Sequence, residues 1–299
     1  MNTRSLEVLK KIYKPYKYTI QGKVYILKST GGDVVLKESN KDIKKLYNYL
    51  DTCGFSNYPK LIEERVGINV YEYLQDNPMP EEQKIMDYIR LVANLHKKTS
   101  YKKEVSLDNF KEIYDLIKDK IIYLTYYYEK LFDEYFENVY PSPSMYLFLR
   151  NYYKINGSLK YSLSKLEEWF SKVKDKKTMT LAIVNHNLGL EHFSKGNDKD
   201  YILNFEHYTK DSPILDIIEF YKKYYDKFYF SDLLKEYLKI NYLDEEDMLL
   251  FIVNITIPDE LVLKGNEFEK TNMIKNLIEY VDKTEELVRP YNTKEKVKE

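Results

Sequence analysis

Cys53 is the only cysteine among 299 residues. An internal disulfide framework is therefore excluded, a reducing compartment fits, and Cys53 is expected to serve as a small buried apolar residue. No run of about 18 apolar residues occurs, so no membrane-spanning helix is expected. The first residues, M-N-T-R-S-L-E-V-L-K-K, lack the uninterrupted apolar region of a signal peptide. An excess of one charge sign is also missing, because 47 basic and 48 acidic residues leave a net charge of -1. That balance supplies no global basic field for nucleic acid and no acidic tail. Repeats of solenoid period are absent too. The expectation is a cytoplasmic folded protein with neither a nucleic-acid nor a membrane partner, whose partners are chosen by local surface chemistry.

What is present is apolar and aromatic. A hydrophobic share of 43% supports a sizeable core, in one large domain or two smaller ones. Tyrosine is abundant, at 32 residues, often beside lysine. Aromatics and cations together can stack single-stranded nucleic acid, but the charge balance argues against that use. Tyrosines at helical spacing are instead expected to cover core edges with their hydroxyls in water. Those around 121–153 could alternatively form an interaction face or support oxidative cross-links.

Along the chain, a first helix is expected to about Tyr13, then strands at Tyr18–Ile20, Lys23–Leu27 and Val34–Lys37, the last two joined by the turn signal Ser29-Thr30-Gly31-Gly32-Asp33. Ile43, Leu46, Tyr47 and Leu50 lie at helical spacing within Lys41–Leu50, with Asn40 as N-cap and Gly54 as stop. Strands Pro59–Glu64 and Ile68–Tyr73 flank a turn at Val66-Gly67. The order is three strands, one helix, two strands. Beyond Asn77 the pattern becomes helical: Ile85, Ile89, Val92 and Leu95 share one face, and Phe110, Tyr114, Ile117 and Ile121 begin a long stretch ending near Pro141 and Pro143. Leu163, Leu166, Phe170 and Val173 repeat the pattern. Strand-like runs at Met179–Val184 and Tyr201–Phe205 interrupt it, the rest is helical to about Val288, and the charged tail Asn292–Glu299 is expected to fray. This order predicts an α+β, bilobal, protein-kinase-like fold. A small β-rich lobe (1–74) precedes a large helical lobe (75–299), and ligand lies between them.

Short motifs carry a resemblance. V-V-L-K-E at 34–38 resembles the third-strand lysine of kinases, and L-V-A-N-L-H-K-K-T at 91–99 resembles the L-A-x-L-H helix of aminoglycoside and choline kinases. N-H-N-L-G-L-E-H at 185–192 aligns with their H-G-D-L-H-x-x-N loop. In that register Asn185 takes the first histidine, Asn187 the catalytic aspartate and His192 the magnesium-binding asparagine. Y-I-L-N-F-E at 201–206 resembles L-I-D-F-E, placing Asn204 at the second metal-binding aspartate. D-S-P-I-L-D-I at 211–217 resembles D-P-x-x-D-L, with Asp216 as the aspartate that braces the loop. Across roughly residues 15–280 the chain is most similar to CotS-type spore-coat proteins and their YutH-like and YsxE-like relatives. That resemblance implies an aminoglycoside-phosphotransferase-like fold and a role in the inner endospore coat or its assembly, with synthesis in the mother-cell cytoplasm.

The substitutions fall on the chemistry. Asparagine at 187 can hydrogen-bond an attacking hydroxyl but cannot take its proton. Magnesium prefers carboxylate oxygens, whereas Asn204 offers an amide and His192 an imidazole better suited to zinc, copper or nickel. Lys37 has no glutamate partner in the helix that follows, since Glu38 points to the opposite sheet face. The segment T-I-Q-G-K-V-Y offers no glycine-rich phosphate cradle.

Three readings remain open. The first is a pseudokinase acting through contacts with spore-coat or other proteins, without a cofactor. The second is an active phosphotransferase with an unorthodox metal site using Glu191 or Glu206, for which His192, Asn204 and Glu206 are the metal candidates. The third binds ATP through Lys37 and the connector Glu72, Tyr73 and Leu74 without turnover, and ATP with Mg2+ is expected only if that site is retained. A zinc or manganese site from His186, His192, His207, Glu191 and Glu206 is a further alternative. His96 is expected as a helix-end histidine packing under the loop. The oligomeric state is left open.

Overall fold

The computed structural model describes residues 3–22, 24–39, 41–65 and 67–293. The chain divides into two compact units. The first comprises Met1–Ser100, Ala182–Asp211 and Lys239–Asn241, and the second Tyr101–Leu181, Ser212–Leu238 and Tyr242–Glu299.

In the first unit, α1 (Thr3–Tyr13) leads into β1 (Lys17–Gln21), β2 (Val24–Lys28) and β3 (Val34–Glu38), then α2 (Ile43–Thr52), β4 (Leu61–Arg65) and β5 (Ile68–Glu72). The strands form one antiparallel sheet in the order β1-β2-β3-β5-β4. Alternation sorts their side chains. Leu27, Val34, Leu36 and Val70 turn to one face and pack with Leu9 of α1 into a dry core, each fully buried side chain of this size contributing about 1.5–3 kcal/mol. Lys37 and Glu38 consequently point to opposite faces, as expected.

Helix α2 begins at Ile43, the first residue of its apolar spacing, rather than at the expected Lys41. Its N-cap is Asp42, whose carboxylate accepts the Lys45 N–H at 2.9 Å; the expected cap Asn40 lies outside the described residues, as do Lys23, Val66 and the tail 294–299. Gly54 ends the helix at φ +73°, and Phe55 N–H reaches back to the Leu50 carbonyl at 2.9 Å. Cys53, expected to be buried, is only half-buried as the C-cap.

Helix α3 (Glu81–Thr99) starts with Glu81 and Glu82 and ends with His96, Lys97 and Lys98, complementing the helix dipole at both ends. It packs on a single 3-10 turn (Leu190–His192) and on the hairpin of β8 (Phe193–Lys195) and β9 (Asp200–Ile202). Two other strands are β6 (Tyr101–Glu104) and β7 (Thr178–Val184). The end of β7 pairs with β10 (Thr209–Asp211) in this unit, and its amide at Ile183 donates to Thr99 Oγ1 at 3.0 Å. The expected strand Tyr201–Phe205 stops at Ile202. Leu203, Asn204 and Phe205 leave the ladder.

The second unit is helical: α4 (Leu107–Phe136), α5 (Pro143–Val173), α6 (Ile214–Tyr224), α7 (Phe230–Ile240, its last turn apart), α8 (Glu245–Thr256) and α9 (Glu267–Thr293). The start of β7 pairs here with β6. Pro143 opens α5 with Ser142 as cap, which suits a residue lacking an N–H. Several tyrosines differ from expectation, because their hydroxyls bond protein, not water. Tyr128 donates to the Asp259 carbonyl and Tyr280 to the Ile255 carbonyl, each at 2.6 Å. Burial raises the pKa of both. Others, including Tyr126, Tyr140, Tyr146 and Tyr153, are exposed. Among the described residues no helix is long and apolar enough to cross a membrane.

The N-terminus of α8 concentrates acids. Asp244 caps it by accepting the Asp247 N–H at 2.9 Å, and Lys176 lies 3.4 Å from Asp244 and 2.9 Å from Glu246. Burial, then the neighbouring Asp244 charge, pushes the Asp247 carboxyl up to about 7. A raised carboxyl pKa means the folded chain holds that proton more tightly than the unfolded one. The stabilisation is full below the unfolded value of about 3.9 and is lost as pH rises through about 7. Asp247→Asn is therefore expected to melt a few degrees above wild type at pH 8 and level with it at pH 4; a gap independent of pH in thermal melts would contradict this coupling.

Candidate functional site

Register places Val24 opposite Lys37, Ile26 opposite Val35, Val35 opposite Tyr71 and Lys37 opposite Asn69, so these residues share the sheet face away from α1. That face roofs a cavity of about 730 Å3, within the range of small-molecule sites. The floor is Phe193, Ser194 and Leu203, and one wall is the connector Glu72, Tyr73 and Leu74. Apolar side chains dominate roof and floor. Polar groups converge at the end formed by Lys37, Asn187, His192, Asn204 and Glu206.

The loop after β7 sets that polar end. Asn185 is fully buried, and His186 takes φ +55°, a conformation that favours glycine. In the resembled H-G-D motif position 186 corresponds to glycine, the residue that takes this conformation at no steric cost. The His186 ring turns to Thr209 Oγ1 at 2.8 Å. Asn187 Nδ2 lies 3.0 Å from His192 Nε2. An amide nitrogen only donates, so Nε2 is the acceptor and the neutral ring carries its proton on Nδ1. The two residues at the expected base and metal positions satisfy each other.

Three alternate residues lace the end of β3 and the segment after it to residues 203–208. Lys37 Nζ donates to the Leu203 carbonyl at 2.6 Å, Ser39 Oγ to Glu206 Oε2 at 2.7 Å and Lys41 Nζ to the Tyr208 carbonyl at 2.9 Å. Lys37 also sits 5.9 Å from the centre of the Tyr71 ring. Its pKa is lowered, chiefly by burial, with the Glu206 charge pulling the other way. Asn204 Oδ1 accepts the Glu206 N–H at 3.2 Å, which turns its amide oxygen toward its own chain. Behind this row Tyr47 of α2 packs against Tyr71 and edge-on to Phe205, at 6.5 and 6.2 Å between ring centres.

The structure thus brings together Lys37, Glu72, Tyr73, Leu74, Asn187, His192, Asn204 and Glu206 around one cavity. Glu191 and His207 line it too, but His186 does not join them. Among the described residues no three His, Cys, Asp or Glu side chains converge to hold a metal, so the zinc or manganese alternative has no assembled ligand set. His96 is buried in the last turn of α3. Asp216 is buried in the first turn of α6, in the second unit. Sequence spacing gave no sign of Ser39, whose partner Glu206 is remote in sequence, or of the pair Lys84 and Asp76, 3.2 Å apart beside the cavity, which lies across the loop before α3. Metal-bound nucleotide fits this donor set poorly. The positions where the resemblance expects aspartates hold the amides of Asn187 and Asn204, each bonded within the protein, and Glu206 is a carboxylate of the cavity lining beside Lys37.

No protein-family model and no curated protein matches the chain. Solved structures do. An aminoglycoside phosphotransferase from Alicyclobacillus acidocaldarius superposes with a TM-score of 0.69 at 9% identity, over 94% of this chain and 92% of that one. The AMP-bound complex of a spectinomycin phosphotransferase gives 0.53 at 12% identity, over 93% and 97% of the two chains. The same enzyme with ADP and spectinomycin gives 0.51 at 14% identity, over 95% and 99%. The fold is the kinase-like fold of aminoglycoside phosphotransferases.

The strained residue in the loop gives a direct check. His186→Gly and His186→Ala both remove the bond to Thr209, but only alanine retains the cost of a left-handed backbone. Glycine is expected to be the more stable variant by about 1 kcal/mol in urea unfolding, the reverse of their order in a helix interior. Equal stability, or alanine ahead, would mean that the loop does not hold position 186 at positive φ.

Proposed function

We infer that this chain is a kinase-fold protein that has lost phosphoryl transfer and works through protein contacts, as a structural or assembly component of the spore-coat type. The observation that carries the loss is the hydrogen bond from Asn187 to His192. Phosphoryl transfer relies on positioning, charge neutralisation by lysine and metal, and a carboxylate for the attacking hydroxyl. At these positions the chain offers a self-satisfied neutral pair, an amide turned to its own backbone and a lysine engaged by a carbonyl. The coat assignment, with synthesis in the mother cell and deposition in the coat, rests on the motif resemblance. So does the role of Asp216 as brace of the loop.

The apolar slot and the connector favour a second reading, a scaffold that responds to nucleotide without turning it over. The Glu206 carboxylate supports its stronger form, in which a metal still binds. Thermal shift with ATP alone, ATP with magnesium and ATP with manganese separates them, since a ligand at about a hundred times its Kd adds about 2.7 kcal/mol. The expected result is indifference to metal: any shift produced by ATP alone stays the same when either cation is added. A metal-dependent rise, or turnover on small alcohols, aminoglycosides or protein that disappears in Asn187→Ala, would overturn the pseudokinase reading.

A further inference from the structure

Lys37 lines the cavity, and burial makes its amine less basic. Its described partners are a carbonyl, at 2.6 Å, and an aromatic ring. The nearby Glu206 carboxylate is bonded to Ser39 Oγ. Lys84 lines the same cavity but is ion-paired with Asp76 at 3.2 Å. Lys195 is ion-paired with Asp87 and Asp200, each at 3.0 Å. Burial disfavours the ammonium form, and the Glu206 charge offsets this only in part, while one N–H is directed at the Leu203 carbonyl. Around it lies a cavity of about 730 Å3 with the apolar side chains Val24, Ile26, Val35, Phe193 and Leu203 on its surface.

We propose that Lys37 is a nucleophilic amine and that the cavity captures aldehydes or ketones with a flat apolar body, holding them as an imine on Lys37 Nζ. The nitrogen lone pair forms the new bond to the carbonyl carbon, and the carbonyl π pair moves to oxygen, which takes up a proton. The resulting carbinolamine loses water as the nitrogen gives up its own proton. One amine and one carbonyl become one imine and one water, without oxidant or reductant. The lowered basicity of Lys37 supports this chemistry, because only the unprotonated amine attacks. The activity is separate from phosphoryl transfer and requires neither metal nor nucleotide. It neither supports nor depends on the pseudokinase reading.

Lys120 is a built-in control. Burial and the neighbouring Lys222 lower its pKa too, but it is not among the residues lining this cavity. The test treats the full chain at neutral pH with benzaldehyde and sodium cyanoborohydride, which fixes any imine as a secondary amine, and maps the adducts by peptide mass spectrometry, resolving the chain's α-amino group separately. Lys37 is expected to label roughly tenfold faster than Lys84 and Lys120, because a cavity that holds the aldehyde against the amine raises its local concentration. Glu206→Gln is expected to quicken labelling at Lys37 and shift its pH profile downward, because the carboxylate favours the ammonium form. Lys37→Arg keeps a cation and loses the adduct. Should that variant fail to fold, the wild-type map still decides. Labelling that follows surface exposure, with Lys37 unmodified or no faster than Lys120, would overturn the proposal.

Discussion

The bond from Lys37 to the Leu203 carbonyl, 2.6 Å long, is the constraint on which the rest of the site depends. It joins the third strand of the sheet to the segment that leaves the β8–β9 hairpin, and the bonds from Ser39 and Lys41 continue the same seam. With that seam closed, Asn204 and Glu206 are fixed at the end of the cavity. Lys37 serves here as an element of the scaffold. It keeps its place because a donor withdrawn from water must have an acceptor, and a backbone carbonyl provides one without a second buried charge.

The polar side chains around it follow the same logic. Carboxylates crowded for metal and proton chemistry repel one another, and sites built that way trade stability for function. In this chain Asn187 and His192 exchange a neutral hydrogen bond, and the Asn204 oxygen receives the N–H of Glu206. A site without those repulsions is easier to keep folded when no substrate or ion occupies it. Glu206 is the exception, and its Oε2 accepts the Ser39 hydroxyl.

Much of this was legible in the sequence. Alternation in V-V-L-K-E put Lys37 and Glu38 on opposite faces, and the motif order put Asn187, His192, Asn204 and Glu206 at one cavity. Short polar strands escaped because periodicity needs apolar residues to be visible. T-K-D at β10 has none, and Y-K-K-E at β6 is exposed throughout. The strand at 201 ended early for a tertiary reason, since Leu203 N–H turns to the His192 carbonyl at 2.7 Å in place of a ladder partner. Tyrosine was misjudged in part. A hydroxyl that bonds a carbonyl more than a hundred residues away, as Tyr128 does with Asp259, leaves no local pattern.

The first unit is discontinuous in sequence, and this bears on how the chain is made. Its sheet and α3 are complete by Ser100, but the loop and hairpin that close the cavity belong to Ala182–Asp211. Between them the ribosome must deliver β6, both long helices α4 and α5, and the first half of β7. Synthesis proceeds at roughly 5–20 residues per second, so for several seconds the nascent sheet presents Val24, Ile26, Val35 and Tyr71 to solvent with no floor beneath them. An incomplete apolar surface of that kind is what chaperones bind.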